Sequence, residues 1–430
     1  MLKPLKVGIA GLGTVGAGVV KLLAAQAELI AARAGRPVVV TAVSARDRTR
    51  ERGVKLDGPT WHDDAVALAQ DPDVDVVVEL IGGAEGKAKA LAQAAIAAGK
   101  DFVTANKALL AVHGAALARA AEANRVTIAY EAAVAGGIPV VKALREGLAA
   151  NRVSRVAGIL NGTCNYILTV MREEKRDFAE VLAEAQALGY AEADPSFDID
   201  GVDAAHKLAI LAGLAFGARI GFESLHIEGI RRVSAIDIAF ARELGYRIKL
   251  LGIAEQTGAG ISLRVHPAMV PERKPIATVD GVFNAVLLEG DFSGPVFLRG
   301  RGAGEGPTAS AVVADLIDLA RGIRVPVWGM AESALAQAHI APITELNGAY
   351  FLRLSVVDQP GVLADVTAIL RDHGISLESM LQHGRAPGEA VPIVLVTHET
   401  HEAAVNAALA RIAALPAVLE PPALIRIEPQ

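Results

Sequence analysis

A doubly wound parallel α/β sheet is the fold class this 430-residue sequence predicts for its N-terminal part, and three observations carry it. Short apolar runs alternate with helix-length segments over the first 130 positions. A glycine turn, Gly11-Leu12-Gly13-Thr14-Val15-Gly16, joins the first run to the first helical stretch. Apolar residues make up 52% of the chain but aromatics only 4%, so small and branched side chains must fill the cores, as suits helices packed on a sheet.

The elements follow in order. Leu5–Ala10 reads as a strand, with a helical stretch after the glycine turn to about Ala32. Val38–Val43 and Asp75–Ile81 are further strands. A helix from about Gly86 to Ala98 stops at Gly99, a suitable residue just past a helix end. Phe102–Thr104, a helix over Ala115–Ala123 and Val126–Tyr130 complete the alternation.

From Glu131 the rhythm changes to that of an α+β domain on a mixed sheet. Val153–Leu160, Arg247–Ala254, Ile261–His266 and Asn284–Leu288 read as strands. Tyr166–Glu173 and Phe178–Leu188 read as helices, and a polar loop Gly189–Gly201 leads into another helix near Val202. Glycine-rich Gly300–Gly306 feeds a helix over Thr308–Arg321, and Gln337–Gly348 reads as a linker. The last unit runs strand Tyr350–Val356, helix Val362–His373, strands Ile375–Gln382 and Ala390–Thr397, helix His401–Ala414 and strand Ala423–Ile427. That is the ferredoxin-like βαββαβ order. The expected divisions are 1–130, 131–300, a segment 301–336 returning to the first unit, a linker 337–348 and a last unit 349–430.

Charge and cysteine content narrow the function classes. The formal charge of −6 gives no global attraction for nucleic acid. A single cysteine, Cys164, excludes an intrachain disulfide and fits a reducing compartment. The start of the chain lacks a signal-peptide pattern, and no apolar run reaches about 18 residues unbroken, so a cytoplasmic location is expected. Cys164 has turn residues rather than a base beside it, and the histidines lack ligand spacing; neither a thiol nucleophile nor a transition-metal centre is expected.

The glycine turn is a dinucleotide-binding fingerprint of the Rossmann type because it sits between strand and helix. Gly11 permits the turn, Gly13 lets backbone approach a pyrophosphate, and Gly16 lets the helix pack on the strand; Leu12, Thr14 and Val15 line the same turn. At the end of the second strand, Arg46, Arg48 and Arg50 cluster where an NAD enzyme usually carries a carboxylate. A guanidinium there suits a 2′-phosphate, so NADP is preferred; Asp47 keeps NAD open.

The segment Gly189 to Leu208 packs five carboxylates before and into a helix. Asp203 and Lys207 share one helix face, and Lys207 lies where the helix turns apolar, so it needs a partner or a role; an ordinary i,i+4 ion pair is the simpler reading.

This loop and helix resemble the signature of homoserine dehydrogenases. So do Glu79-Leu80-Ile81-Gly82-Gly83, Thr104-Ala105-Asn106-Lys107, Glu131 to Pro139, and Asn161-Gly162-Thr163-Cys164-Asn165-Tyr166, in the family's order. The resemblance implies reversible NAD(P)-dependent reduction of L-aspartate 4-semialdehyde to L-homoserine, in threonine, methionine and isoleucine biosynthesis. It implies that Lys207 transfers the proton, that Asp203 orients it or a water, and that Lys107 lies near substrate and nicotinamide. Glu192 would hold the substrate's α-ammonium, Asp198 and Thr163 would assist, and Gly162 and Gly304 would line the cofactor end. Glu131, Val134, Gly136 and Ile138 would bind a monovalent cation, usually sodium, largely through backbone carbonyls. The last unit resembles an ACT domain, with Asp358, Gly361, Val362 and Leu363 forming an effector loop for an amino acid such as threonine, in a homodimer or homotetramer. Two rivals stay open: another ACT-containing semialdehyde or hydroxy-acid dehydrogenase, and a non-catalytic amino-acid sensor with a relict dinucleotide fold.

Overall fold

The computed structural model describes residues 3–384 and 386–429. Two compact units divide the chain, and neither is continuous in sequence. The first comprises Met1–Gly162, Asp203–Leu225 and Phe283–Ala338; the second comprises Thr163–Val202, His226–Val282 and His339–Gln430.

The first unit is built on a six-stranded sheet. Its order is Thr60–His62, Val38–Ser44, Leu5–Ala10, Val76–Glu79, Asp101–Thr104, Ile128–Ala129, and every pairing is parallel. The order reverses direction at Leu5–Ala10, which puts the crevice for a dinucleotide at that strand's carboxyl end. Val76, Val77 and Val78 are all fully buried, because helices cover both faces. The helix Glu305–Ala320 belongs to this unit and packs on the helix Thr14–Ala25. Their close approach depends on Gly18, where a Cβ would stand 2.6 Å from Glu305 Cγ. A second, antiparallel sheet pairs Val153–Ile159 with Phe283–Gly290, and the latter with Gly294–Arg301.

The second unit is a mixed sheet. The hairpin Tyr246–Thr257 and Gly260–Pro271 is followed by Ala423–Ile427, Asn347–Val357, Ala390–Thr397 and Leu377–Gln382. Ala423–Ile427 pairs parallel to Gly260–Pro271 through Ala268↔Arg426 and Met269↔Ile427, so the ferredoxin-like sheet continues that of the hairpin. The helices Val362–Asp372 and Glu402–Ala413 cover one face of the ferredoxin-like part, burying Val366, Ile369, Val405 and Ile412.

Among the boundaries that differ from the sequence reading, three lie around the first unit's core. The helix expected to run to about Ala32 breaks at Gln26 into Thr14–Ala25 and Ala27–Ala34, bent by 83°. No proline or glycine marks the break. The second piece turns so that Ile30 and Ala34 join the same core as Val312 and Leu316. The helix expected over Ala115–Ala123 is Lys107–Asn124, because Asn106 caps it two turns earlier. Glycine-rich Gly300–Gly306 is split: Gly300 and Arg301 end a strand, and the helix begins at Glu305 rather than Thr308. Among the described residues no single helix is long and apolar enough to cross a membrane; the bent pair passes only when joined, and it packs on the parallel sheet.

Candidate active site

The centre of the first unit is a buried carboxylate held by two lysines. Asp203 lies in the first turn of the helix Val202–Phe216, just after Gly201, whose φ of +86° only glycine adopts freely. Its Oδ2 accepts from Lys207 Nζ at 2.8 Å and from Asn161 Nδ2 at 2.8 Å, while Oδ1 stands 3.0 Å from Lys107 Nζ. Lys207 Nζ also donates to the Leu160 carbonyl at 2.7 Å, just past the strand Val153–Ile159. Asp203 and Lys207 are nearly buried, whereas the Lys107 side chain is 31% exposed. Burial alone would push the Asp203 carboxyl up. The charges of Lys207 and then Lys107, with the hydrogen bonds from Lys207 and Asn161, outweigh it and hold the group well below the usual carboxylate range.

Lys107 is delivered by a buried relay of hydrogen bonds. Glu79 at the end of its strand accepts from Ile81 and Gly82 backbone N–H groups at 2.7 and 2.9 Å and from Thr104 Oγ1 at 2.6 Å. Thr104 Oγ1 accepts from Asn106 N at 3.0 Å, Asn106 Nδ2 donates to Gly83 O at 2.7 Å, and Asn106 Oδ1 caps the helix at Leu109 N. Lys107 is then the first helical residue. A cation there opposes the helix dipole, so its placement is explained by what it faces rather than by helix stability.

The glycine fingerprint divides into two packing positions and one opening. A Cβ at Gly11 would stand 2.5 Å from Leu80 O, and at Gly16 2.0 Å from Gly11 O; at Gly13 nothing lies within 4 Å. Gly13 precedes the helix Thr14–Ala25, whose N-terminus has no side-chain cap and no acidic first turn. Leu12 is buried beneath the turn, while Thr14 is exposed and Val15 partly so. Free N–H groups, positive dipole and open space together suit a pyrophosphate. Arg46 is exposed beyond the second strand. Arg52, overlooked in the sequence, binds the two loops together. Its Nε donates to Leu12 O at 3.1 Å, Nη1 to Arg50 O at 2.6 Å and Nη2 to Asp47 O, and it lies with Arg48 over the Trp61 ring at 5.6 and 5.7 Å. It was legible only as a fourth arginine in the Arg46, Arg48, Arg50 series.

Glu131 to Ile138 forms a loop, buried except at Gly137, with unusual backbone. Ala135 and Gly136 both have positive φ, +57° and +50°, and a Cβ at Gly136 would meet Gly302 O at 2.4 Å. Ala135 is 1% exposed, and a non-glycine residue so placed costs about 1–3 kcal/mol. The Glu131 carboxylate accepts from Val141 N at 3.0 Å and Lys142 N at 2.8 Å. Burial, and then the neighbouring Asp315 charge, push it up to about 7. Val134 and Ile138 are buried in the same loop, and the Ile138 carbonyl accepts from Val140 N at 2.8 Å. Gly304, at φ +114°, is the residue before the helix Glu305–Ala320, and Gly162 opens the helix Gly162–Glu174.

The remaining site residues belong to the second unit. Thr163 Oγ1 donates to Tyr190 O at 2.8 Å, and the Glu192 carbonyl accepts from Gln186 Nε2 at 3.0 Å. Cys164 is buried, and its Sγ donates to Asp198 O at 3.2 Å. Asp358 Oδ2 accepts from Ala386 N at 2.8 Å; Gly361, at φ +98°, precedes the uncapped N-terminus of Val362–Asp372, with Val362 buried and Leu363 partly so. Among the described residues no cluster of three or more His, Cys, Asp or Glu is arranged to hold a metal ion.

Comparisons with known proteins converge on one family. Residues 139–317 match the homoserine dehydrogenase family model, residues 11–131 its NAD binding domain and residues 350–417 the ACT domain. The chain is 49% identical over 434 residues to a homoserine dehydrogenase of Pseudomonas aeruginosa, covering 99% of each. It is 39% identical to one of Bacillus subtilis, again covering 99% of each. The crystal structure of a homoserine dehydrogenase from Thiobacillus denitrificans superposes with a TM-score of 0.94 at 50% identity, over 99% of this chain and 98% of that one. A hyperthermophilic archaeal homoserine dehydrogenase in complex with NADPH matches 74% of this chain and 97% of its own, at TM-score 0.64 and 26% identity.

Proposed function

Since this chain belongs to the homoserine dehydrogenase family, we propose that Lys207 is its proton-transfer residue and that Asp203 and Lys107 complete the catalytic group. The activity is that of an oxidoreductase, and similarity along the full chain does not favour the rival dehydrogenase or sensor.

One observation carries the assignment of roles: a single buried carboxylate binds both lysines. An ammonium has three N–H bonds, and Asp203 Oδ2 and Leu160 O take two of those of Lys207. The third is left to donate to the semialdehyde carbonyl oxygen, or, once deprotonated, Nζ takes the hydroxyl proton of homoserine in the reverse direction. Asp203 fixes the direction of that donation and offsets the cost of burying the charge. Lys107 adds a second positive charge where the alkoxide develops. The nicotinamide supplies hydride transfer when bound; the protein sets the geometry. Glu192, Asp198 and Thr163 are the proposed substrate-binding residues.

NADP is the proposed preferred cofactor. The reading is supported by exposed Arg46 beside the second strand, and by NADPH bound to the archaeal relative. Gly11, Leu12, Gly13, Thr14, Val15 and Gly16 would hold the pyrophosphate, with Gly162 and Gly304 toward the nicotinamide end. A monovalent cation, sodium, is proposed at the backbone oxygens of Glu131, Val134, Gly136 and Ile138. The buried loop and its two consecutive positive-φ residues support a fixed set of hard oxygen donors. A cytoplasmic homodimer or homotetramer, with threonine bound at Asp358, Gly361, Val362 and Leu363, completes the reading, as does the proposed division at 130, 300, 336 and 348.

The test is homoserine-dependent reduction of NADP and of NAD at alkaline pH, with and without threonine, for wild type and Lys207→Ala. Turnover that collapses in the variant supports the reading, and turnover that survives removes Lys207 from the chemistry. Inhibition by threonine that disappears in Asp358→Ala supports the effector loop.

A further inference from the structure

We propose that Trp328 is a positioning residue for the Lys107–Asp203–Lys207 group, a wedge that sets the separation of the two helices carrying it. The inference rests on the catalytic reading above.

The indole sits against both helices at glycines. A Cβ at Gly114, on Lys107–Asn124, would stand 2.7 Å from Trp328 Cζ2; a Cβ at Gly213, on Val202–Phe216, would stand 3.1 Å from Cζ3. Both contacts fall on the six-membered ring, and any larger residue at either glycine would drive helix and ring apart. Gly114 is seven residues beyond Lys107 and Gly213 six beyond Lys207, about 10 Å along each helix at 1.5 Å per residue. At one end the helices are linked by the 3.0 Å Lys107–Asp203 contact; two turns beyond Lys107 and nearly three beyond Asp203, they are spaced by one aromatic ring.

Trp328 is itself fixed. It is 8% exposed, its ring lies 6.1 Å from that of Tyr130, and Tyr130 OH donates to the adjacent Val327 carbonyl at 2.5 Å. The indole Nε1 is buried and meets no acceptor among the described residues. A buried unsatisfied N–H is a cost that phenylalanine would avoid, so the bulk of the ring, rather than its polar atom, is what the site uses. A narrow cleft lined by Leu110, Ala115, Ile210 and Ile220 opens beside the ring, so the two helices have room to shift if the wedge changes.

Gly114→Ala, Trp328→Phe and the double variant form the test, with kcat, KM for homoserine and NADP, and Tm measured for each holoenzyme, beside Lys207→Ala. Gly114→Ala should lower kcat about tenfold to a hundredfold, as an ångström of misplacement does, with KM for NADP unchanged. Phenylalanine lacks the outer ring atoms that the added methyl at position 114 would strike, so Trp328→Phe in the Gly114→Ala background should restore most of the lost kcat. Losses that add in the double variant, or singles that lose Tm but keep kcat, overturn the wedge. Turnover that survives Lys207→Ala overturns the catalytic reading instead. A Gly114→Ala chain that fails to fold leaves Gly213→Ala to make the same comparison.

Discussion

Lys107 and Lys207, one hundred residues apart in the chain, are joined through opposite oxygens of Asp203, at 3.0 and 2.8 Å. Two ammonium groups this close repel unless a carboxylate is buried between them, so the three stand or fall as a unit. Lys207→Ala should reduce kcat by about a hundredfold to ten-thousandfold, the range for removing a positioned general acid. Asp203→Asn should cost activity and about 3 kcal/mol of stability at neutral pH, because it leaves the lysines without their countercharge. Its pH dependence has a definite sign. The Asp203 carboxyl lies below its ordinary 3.8 in the folded state, so its contribution is complete above pH 4 and fades as pH falls through the lower, folded value. Chemical denaturation of wild type and variant should therefore differ most at pH 7 and converge in strong acid; a gap that widens on acidification would contradict the ion pair.

The glycine turn makes a prediction that separates folding from binding. Gly16→Ala puts a Cβ 2.0 Å from Gly11 O, so the helix must move off the strand and Tm should drop sharply. Gly13→Ala meets nothing within 4 Å, and Gly13 has φ −77°, which alanine adopts freely. That variant should fold with the wild-type Tm yet bind nicotinamide dinucleotides at least tenfold more weakly, since the added methyl occupies the approach of the pyrophosphate. Calorimetry with NADP decides; undiminished affinity in Gly13→Ala would put the phosphates elsewhere.

What the sequence made legible follows the reach of local rules. Gly11, Gly13 and Gly16 announced a nucleotide turn because strand, turn and helix are contiguous. Asp203 and Lys207 announced a pair because four residues make one helical turn. The ferredoxin-like order was readable because each of its strands and helices carries its own period. What stayed hidden depends on distant segments. Lys107 reaches Asp203 only after Glu79, Thr104 and Asn106 have been brought together by adjacent parallel strands. Asn161 is only the first residue of the Asn161–Tyr166 motif in the sequence, and it is the fold that turns its amide onto Asp203. The break at Gln26 has no local signal, because packing against Glu305–Ala320 bends the alanine-rich helix.

Two arginines near the second strand should separate by cofactor. Arg46→Ala should raise KM for NADP about tenfold to a hundredfold, as loss of a charge-assisted hydrogen bond does, and leave NAD nearly unchanged. Arg52 instead ties the Leu12, Asp47 and Arg50 carbonyls together, so Arg52→Ala should weaken both cofactors alike. Steady-state comparison of the two cofactors checks both claims, and equal effects of Arg46→Ala on each would shift the 2′-phosphate role to another group.

Glu131 couples pH to the proposed cation. Its carboxyl is raised from 4.5 to about 7, first by burial and then by Asp315. Between those values the folded protein keeps a proton that the unfolded chain releases, so without the cation stability should fall as pH rises from 4.5 and level off above 7. The full effect is of the order of 3 kcal/mol at about 1.36 kcal/mol per pH unit. A cation held by the carbonyls of this loop favours the ionised carboxylate, and therefore binds better above pH 7 than at pH 5. Sodium chloride should then raise Tm at pH 8 relative to choline chloride of equal ionic strength, and do so much less at pH 5. Glu131→Gln, which keeps one of the two oxygens that accept from Val141 and Lys142 but cannot ionise, should flatten both trends. Equal Tm in sodium and choline at pH 8 would remove the cation, while a pH trend that persists in Glu131→Gln would assign the titration to Asp315.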